Sequence, residues 1–324
     1  MNREIKKQID YLIKTTDKIG IIEHSIFDRP DFVHGYCVDD NARALQVCLR
    51  FKKKYPILKK VLPIYFNFLK SAIKEDRIYD DMNLDGTWQE KFEINGEHYG
   101  RILAALGEAN DTQLFDQAYS LLIKETPRHI RVSAQTILGL KYFRPENIKY
   151  WADLIVDQYS EEKTDIWKWF ETELSYDLGR MPLALLTAYQ AINDSKYFEV
   201  AMESLNFLIE MIFDEEKDCF VFPGNKGWIT KSGSKNIFDQ QPIEAGSATE
   251  AYSLAFQITK NEKYRKMAIK AFEWFSGKNI MKANMINKKI GGIYDGFSDS
   301  EINKNQGAES VLAYLLAYSS INYI

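Results

Sequence analysis

The stretch HGYCVDDNARALQVCLR, from His34 to Arg50, places polar residues directly before an apolar pattern of helical period. Asp39, Asp40, Asn41 and Arg43 therefore fall where a helix enters the core. Acids at such a position either cap the helix N-terminus or line a functional site. Which of the two applies depends on whether other helices of the chain begin in the same way.

Helical periodicity covers nearly the whole chain of 324 residues, and no alternating pattern is long enough to build a sheet. Short extended pieces such as CFVFPG are expected to form small hairpins at most. The twelve predicted helices span about residues 2–17, 40–53, 57–75, 98–108, 112–124, 130–142, 146–160, 176–192, 195–213, 242–258, 262–276 and 306–320.

These helices are of two kinds that alternate along the chain. One kind is apolar nearly all round and rich in small residues, as in NARALQVCL and GAESVLAYLLAY, which indicates burial between neighbours. The other kind, as in EKYRKMAIKAFEWFSG, has one charged face and is expected to face solvent. Six inner helices inside six outer ones form an (α/α)6 barrel, so we predict an all-α fold with a single domain over residues 1–324.

The loops indicate where a site lies. Loops from inner to outer helices are short, whereas loops from outer to inner helices are mostly long, such as residues 18–39 and 214–241. All long loops then gather on one face of the barrel, at the N-terminal ends of the inner helices. Because functional residues concentrate on loops held by a rigid scaffold, we expect the site on this face.

Composition excludes several function classes. The net charge is −4 and no basic block is long enough for a nucleic-acid groove. No apolar run is long enough for a membrane span, and the N-terminus lacks signal-peptide features, so a cytoplasmic protein is expected. Three cysteines and four histidines show no disulfide or metal-site spacing, and no phosphate-binding loop occurs, so we predict no cofactor and no metal.

Acids recur at the starts of the inner helices, in the motifs EHYGR, SYDLGRMP, FDQQPIEAG and NKNQGAES. Asp40 and Arg43 repeat the spacing of Asp177 and Arg180. Asp40 and Asp177 are good N-cap candidates, and Glu244 after Pro242 resembles a capping arrangement. Several acidic helix starts facing one another are nevertheless hard to explain by capping alone, so we predict that these acids point into a central cavity.

Five stretches together resemble glycosidase-like (α/α)6-barrel proteins of the six-hairpin glycosidase superfamily: HGYCVDDNARAL, YGRILAALGEA, WFETELSYDLGRMPLALL, FDQQPIEAG and GGIYDGFSDSEINKNQGAESVLAYLLA. The resemblance covers residues from about 30 to 319. It implies an (α/α)6 barrel that acts on sugars, alone or with a glycosyltransferase partner. The chain departs from the pattern at Leu178 and Gly179, where NAR is frequent, and at Tyr99, where His is common.

The first hypothesis is a glycoside hydrolase acting on an oligosaccharide. Glycosidic cleavage needs one protonated carboxyl and one carboxylate, and crowded carboxyls raise the pKa of one member. Asp39 and Asp40 are the candidate acids, and Asp177, Glu244 and Glu309 are the candidate bases. Helices one and four of the inner ring lie opposite each other, so Asp40 and Asp177 should face across the cavity, and a wide separation favours inversion.

The remaining candidates are substrate-binding residues. Arg43 and Arg180 would keep neighbouring carboxylates ionised. Five amides are expected to bond hydroxyls, and four aromatic residues in polar loops are expected to stack on sugar rings. The amides are Asn41, Gln240, Gln241, Asn305 and Gln306, and the aromatics are Trp88, Trp169, Trp228 and Tyr294. Five charged rim residues complete the predicted binding set: Glu97, Arg101, Glu171, Asp239 and Asp295.

Two alternatives remain open. A sugar epimerase on the same barrel would use a pair of histidines as base and acid, and His98 and His129 start neighbouring inner helices. A non-catalytic sugar-binding module working with a glycosyltransferase would use the aromatics without paired acids.

Overall fold

The computed structural model describes residues 5–90, 96–124, 127 and 129–324. Within these ranges it contains twelve α-helices, as predicted, and a 3₁₀ turn at Pro145–Asn147. Residues 2–4 of the first predicted helix lie outside the described residues. The helices are α1 Lys6–Lys14, α2 Val38–Phe51, α3 Leu58–Ala72, α4 Glu97–Ala109, α5 Thr112–Leu122, α6 Ile130–Leu140, α7 Ile148–Glu162, α8 Arg180–Ile192, α9 Ser195–Ile212, α10 Pro242–Thr259, α11 Glu262–Glu273 and α12 Ala308–Ile321.

Helix contacts close the inner helices into a ring. Each even-numbered helix from α2 to α12 packs against the next, and α12 packs back against α2. Each inner helix also contacts at least one outer neighbour, for example α3 on α2 and α11 on α10. The all-α class and the (α/α)6 barrel are therefore confirmed, and α2 and α8 lie opposite each other in the ring, as expected.

Burial explains the alternation. Helix α12 buries twelve of its fourteen residues, because ring neighbours and outer helices surround it. Helix α11 instead buries Tyr264, Met267, Ala268, Ala271 and Phe272, which repeat at the spacing of one helical face. The inner helices also approach closely: a Cβ at Gly139 of α6 would lie 2.5 Å from the carbonyl oxygen of Leu103 in α4.

In the described residues, extended structure consists of five two-stranded antiparallel ladders of two residues per strand and a few isolated bridges. All five lie in the long loops that lead from an outer helix to the next inner helix. Four of them are β1 Ser25–Ile26 with β2 Arg29–Pro30, β3 Tyr36–Cys37 with β4 Asp81–Met82, β5 Glu173–Leu174 with β8 Ile229–Thr230, and β9 Gly296–Phe297 with β10 Ile302–Asn303. The fifth pairs β6 Phe213–Asp214 with β7 Cys219–Phe220, in the predicted CFVFPG segment. In the described part of the chain no helix is long and apolar enough to cross a membrane.

Candidate functional site

A cavity opens at the N-terminal ends of the inner helices, and it has three adjoining lobes. A central lobe of about 470 Å³ is lined by Glu23, Asp39, Asp40, Asp80, Asp295 and Glu309, among others. A histidine lobe of about 280 Å³ shares Asp39 and Glu309 with it and adds Glu97, His98, Arg101 and His129. A distal lobe of about 680 Å³ shares Asp295 and Asn305 with the central lobe and continues over the loops before α10 and α12.

Of the residues predicted from sequence, the structure places eleven on the cavity wall and ten elsewhere. The eleven are Asp39, Asp40, Arg43, Glu97, Arg101, Asp239, Gln240, Gln241, Asp295, Asn305 and Glu309. The ten that line none of the three lobes are Asn41, Trp88, Trp169, Glu171, Asp177, Arg180, Trp228, Glu244, Tyr294 and Gln306.

The N-cap assignments of Asp40 and Asp177 are wrong. Helix α2 begins at Val38, so Cys37 is its N-cap and the Cys37 Sγ accepts a hydrogen bond from the Asp40 N–H at 3.5 Å. Asp40 is the third helical residue, and its side chain points to the next turn, where Arg43 Nη1 donates to Oδ1 at 2.8 Å. Helix α8 begins only at Arg180, three residues after Asp177. Both acids therefore act as ion-pair partners within the barrel rather than as caps.

Arg101 of α4 connects several carboxylates at the floor of the cavity. Its Nε lies 2.6 Å from Asp39 Oδ2, and its Nη2 lies 3.2 Å from Glu97 and 3.4 Å from Asp177. Arg43 similarly bridges Asp40 and Glu309, at 2.8 and 3.2 Å. Both arginines are buried, so each charge depends on these carboxylates for compensation.

Asp177 and Glu244, two of the predicted bases, are buried beneath the cavity. Asp177 has a left-handed backbone with φ 53°, and its carboxylate also pairs with Arg180 at 3.1 Å. Burial acts to raise the pKa of Asp177, but Arg180 and Arg101 hold it well below the usual range. The Glu244 carboxylate accepts the N–H groups of Asp177 and Leu178 at 2.9 and 3.2 Å, and so fixes the loop that leads into α8.

The carboxyls near the cavity differ in their burial and in the charges beside them. Burial and the Asp177 carboxylate raise the pKa of Glu244 to about 8, against the two N–H bonds that it accepts. Burial also raises the pKa of Asp40, while Arg43 opposes the rise. Asp39 is only partly buried, with 26% of its side chain exposed, and it lines both the central and the histidine lobe.

Glu23 lies on the cavity wall, although no sequence motif predicts it. It lies in the loop between α1 and β1, lines the central lobe, and has 28% of its side chain exposed. Burial and the negative charge of Asp40 raise the pKa of Glu23 to about 8. Among the described residues its ion-pair partner is His24, at 3.4 Å, and no guanidinium or ammonium group pairs with it. Sequence spacing gives no signal for it, because it precedes every motif.

Three of the five predicted amides hold loops through their hydrogen bonds, and of these three only Gln240 also lines a lobe of the cavity. Asn41 accepts the Ile21 N–H at 3.1 Å and donates to the Cys37 carbonyl at 2.8 Å. Gln240 is fully buried, and its Oε1 accepts the indole N–H of Trp274 at 3.0 Å. Gln306 is also buried and accepts from Asn287 at 3.2 Å. Gln241 and Asn305 remain on the wall of the central lobe.

The four predicted stacking aromatics pack within the protein. Trp169 is fully buried and packs edge-on against Phe170, so no face is open to a sugar. Trp88 packs against Phe68 and Tyr79. Trp228 and Tyr294 are half-buried. Three other aromatic residues line the cavity: the buried Phe297 and the 59% exposed Phe27 in the distal lobe, and Tyr176 in the histidine lobe.

The other charged candidates have defined partners. Arg131 donates two bonds of 2.9 Å to Glu171, which places Glu171 in a structural ion pair. Asp295 accepts the Gly307 N–H at 2.7 Å and the Ser310 hydroxyl at 2.6 Å at the start of α12. Asp239 pairs with Lys226 at 3.2 Å in the distal lobe.

The two histidines of the alternative hypothesis lie in one lobe. His98 is buried, with Nε2 3.1 Å from the Ile78 carbonyl oxygen and Nδ1 3.5 Å from Asp80. His129 precedes α6 and is exposed. Tyr176, whose hydroxyl bonds Glu97, lines the same lobe. In the described ranges no cluster of His, Cys, Asp and Glu has metal-binding geometry.

A second cavity of about 340 Å³ lies at the opposite end of the barrel, near the C-terminal ends of the inner helices. Its wall includes Arg50, Glu108, Glu250, Ser253 and Ser319. Arg50 donates to both carboxylate oxygens of Glu108, at 2.8 and 2.9 Å, and to Ser319 at 3.0 Å. We call this the basal cavity, and the three-lobed cavity the mouth.

Comparison with solved structures places the fold among sugar-processing enzymes. The chain superposes on a crystal structure of D-mannose isomerase with a TM-score of 0.76 at 13% identity, covering 99% of this chain and 96% of the other. It superposes on cellobiose 2-epimerase of Bacillus thermoamylovorans with a TM-score of 0.73 at 12% identity, covering 99% of this chain and 98% of the other. It superposes on a GH76 α-mannanase of Bacteroides thetaiotaomicron with a TM-score of 0.66 at 14% identity, covering 98% of this chain and 94% of the other. No protein-family model and no curated protein matches the sequence.

Proposed function

We propose that this protein is a carbohydrate-active enzyme, and that it hydrolyses a glycosidic bond in the central lobe. The observation that carries the proposal is a pair of carboxyls in unlike environments on one cavity wall. Glu23 has no guanidinium beside it and lies near the charge of Asp40, whereas Asp39 is ion-paired with Arg101 at 2.6 Å. Two carboxyls whose surroundings give them different pKa values can serve as the acid and the base of a glycosidase.

Glu23 is assigned as the proton donor. A carboxyl with a pKa of about 8 carries its proton at neutral pH, so it can protonate the glycosidic oxygen as the bond to the anomeric carbon breaks. Water supplies the new hydroxyl on the anomeric carbon, and its proton passes to a carboxylate. The products are two shorter sugars, and the enzyme's total proton count is unchanged.

Asp39 is assigned as that carboxylate. Its Oδ2 is held by Arg101, while its Oδ1 has no hydrogen-bond partner among the described residues and is buried from bulk solvent. A buried acceptor oxygen without a donor is costly unless a water or a substrate hydroxyl fills it. Asp40, Arg43 and Arg101 then set the charges around the pair without contacting the reacting atoms.

The comparisons support sugar chemistry as the general class. The α-mannanase shares the barrel, and so do an isomerase and an epimerase of sugars. At identities of 12–14% these likenesses concern the fold, so the reaction rests on the residues of the cavity.

A sugar epimerase or isomerase is the second candidate, and one observation favours it. His98 and His129 line the same lobe, next to Arg101 and Tyr176. Two histidines on opposite sides of a sugar carbon can remove and return a proton beside a carbonyl. This reaction exchanges a carbon-bound hydrogen with solvent, which glycosidic hydrolysis does not.

The test is a parallel assay on neutral oligosaccharides and free sugars in D₂O. Hydrolysis predicts shorter sugars without deuterium on carbon, and Glu23→Gln should lower the rate on the order of a hundredfold or more. Glu161→Gln, on the exposed surface of α7, is the matched control and should retain the wild-type rate. Deuterium incorporation that depends on His98 and His129, with no cleavage, would replace the hydrolase assignment by the epimerase. Sugar binding without either reaction would favour a binding module.

A further inference from the structure

The mouth is longer than one sugar ring requires. The distal lobe joins the central lobe through shared wall residues, namely Gln241, Asp295, Asn303 and Asn305. The two lobes therefore form one groove that runs from the carboxyls at the start of α2 to the loops before α10 and α12. A ligand whose reacting bond lies at Glu23 and Asp39 has room to continue in this direction.

Phe27 provides an aromatic surface at that end of the groove. It lies at the turn of the β1–β2 hairpin with φ 54°, in the left-handed region that non-glycine residues rarely adopt. Its N–H donates to Asn305 Oδ1 at 2.9 Å, so the turn is attached to the groove wall. The ring is 59% exposed and lines the distal lobe. An exposed Phe held beside amides and carboxylates gives an apolar face within hydrogen-bonding surroundings.

We propose that the distal lobe is a carbohydrate subsite in which Phe27 stacks on a sugar ring, and that the substrate is an uncharged oligosaccharide spanning the central and distal lobes. This inference rests on the proposed function and specifies its substrate class. The apolar C–H face of a sugar matches the ring face of Phe27, while Asn225, Gln241 and Asn303 offer amide groups to hydroxyls.

Charge selects against acidic sugars. Asp239, Asp295, Asp299 and Glu301 contribute four carboxylates to the lobe, whereas Lys226 and Lys304 contribute two ammonium groups. Lys226 is already paired with Asp239 at 3.2 Å. A uronic-acid chain would bring like charge into this wall, and juxtaposed like charges lower affinity. A neutral chain meets no such repulsion.

The hairpin region supplies its own control. Phe32 is 62% exposed, close to the 59% of Phe27, but it lines none of the three lobes. A Phe→Ala change at either position removes the same exposed side chain. Only the change at residue 27 removes a wall of the groove.

The experiment measures binding by isothermal titration calorimetry in a Glu23→Gln background, so that cleavage does not consume the ligand. The probes are neutral manno- and cello-oligosaccharides of one to five units, with oligogalacturonides as the charged counterpart. Phe27→Ala should weaken the longer neutral probes by about three- to tenfold and leave the shortest bound probe unchanged. Phe32→Ala should leave every affinity unchanged, and the oligogalacturonides should bind more weakly than neutral chains of equal length.

Three results would overturn the inference: an equal loss for short and long probes in Phe27→Ala, the same loss in Phe32→Ala, or no binding by any neutral probe. The experiment also distinguishes failure of the hydrolase proposal from failure of the subsite proposal. Length-dependent, Phe27-dependent binding together with no cleavage by the wild-type protein would keep the subsite and remove the hydrolase. Cleavage whose dependence on chain length is untouched by Phe27→Ala would keep the hydrolase and remove the subsite.

Discussion

The two ends of the barrel both contain buried charged residues, but the two sets differ in how many of their hydrogen bonds and ion pairs are formed. In the basal cavity both oxygens of Glu108 accept bonds from Arg50, and Gln46 donates a further bond at 3.1 Å. At the mouth, Asp39 Oδ1 has no donor among the described residues, and Glu23 has no guanidinium partner there. Charged groups whose bonds are complete stabilise a fold, whereas incomplete ones are available to a substrate. The mouth is therefore the better candidate for chemistry, although both ends are polar.

A single chain of ion pairs nevertheless connects the two ends. Every link in it lies between 2.6 and 3.5 Å. The order from mouth to base is Asp39, Arg101, Asp177, Arg180, Glu250, Arg50 and Glu108. The comparison between the ends can thus be tested by removing one charge at a time.

The largest effect is expected for Arg101→Met. This change removes the cation between Asp39, Glu97 and the fully buried Asp177, and leaves their charges undercompensated. We expect the free energy of unfolding to fall by about 3–5 kcal/mol, measured by urea denaturation. Arg144→Met, which breaks a half-exposed bidentate pair with Asp116, is the control and should cost no more than about 1 kcal/mol. Equal behaviour of the two variants would show that the network at the mouth contributes no more than a surface pair.

An intermediate effect is expected from one carboxyl at each end. Asp40→Asn removes a charge that raises the pKa of Glu23, whereas Glu250→Gln removes a charge that pairs with Arg50 and Arg180. In the proposed hydrolysis Glu23 must hold its proton, so we expect activity below its pKa of about 8 and a loss of activity as pH rises through that value. Asp40→Asn should move this alkaline limb to lower pH, and a fall of about one unit in the pKa of Glu23 would reduce hydrolysis at pH 7.5 by about threefold.

Glu250→Gln should leave the limb in place and lower the free energy of unfolding by about 1–3 kcal/mol. The measurement is a pH–rate profile beside a urea melt for both variants. If the alkaline limb of the pH–rate profile is unchanged in Asp40→Asn, the charge of Asp40 does not raise the pKa of Glu23. Asp40→Asn keeps an oxygen that can accept from Arg43 but removes the negative charge from this 2.8 Å pair, so its free energy of unfolding should fall below that of the wild type.

The smallest effect is expected in the basal cavity. The Ser253 hydroxyl is buried and has no partner among the described residues, so Ser253→Ala should change the free energy of unfolding by less than about 1 kcal/mol. Ser319→Ala removes a bond of 3.0 Å to Arg50 and should cost about 1–2 kcal/mol. Thermal melts of both variants check the difference. A larger loss for Ser253→Ala would indicate that its hydroxyl has a bound partner.

The fold was predictable because the helical pattern repeats without interruption. The buried positions of α11 follow one face, and α12 is apolar on every side, so outer and inner helices differ in the sequence itself. Helix starts were less predictable. Cys37 caps α2 with a thiol, which is not a preferred N-cap group, so N-cap preferences point to Asp40 instead of Cys37 as the start of the helix.

The site was only partly predictable. Asp39, Arg43, Arg101 and Glu309 follow from helix starts that converge. Glu23 does not, because its perturbed pKa depends on a loop folding over the charge of Asp40. Polar neighbours in the sequence also do not show which side chains a loop buries. The prediction that Trp169 stacks on a sugar ring is therefore wrong, because Trp169 is fully buried. The glycosyltransferase partner and the cytoplasmic location stay predictions.

Ring closure has a consequence for synthesis. Arg43 receives one of its two carboxylate partners, Asp40, from the same helix, and the other, Glu309, from 266 residues further along the chain. At about 5–20 residues per second, a ribosome makes Glu309 roughly 13–50 seconds after Arg43. Throughout that interval the first hairpins of the nascent chain exist without the last, and the central lobe lacks one wall. The central lobe is therefore completed only after α12 has been made, and a nascent chain that stops before α12 lacks the wall that Glu309 provides.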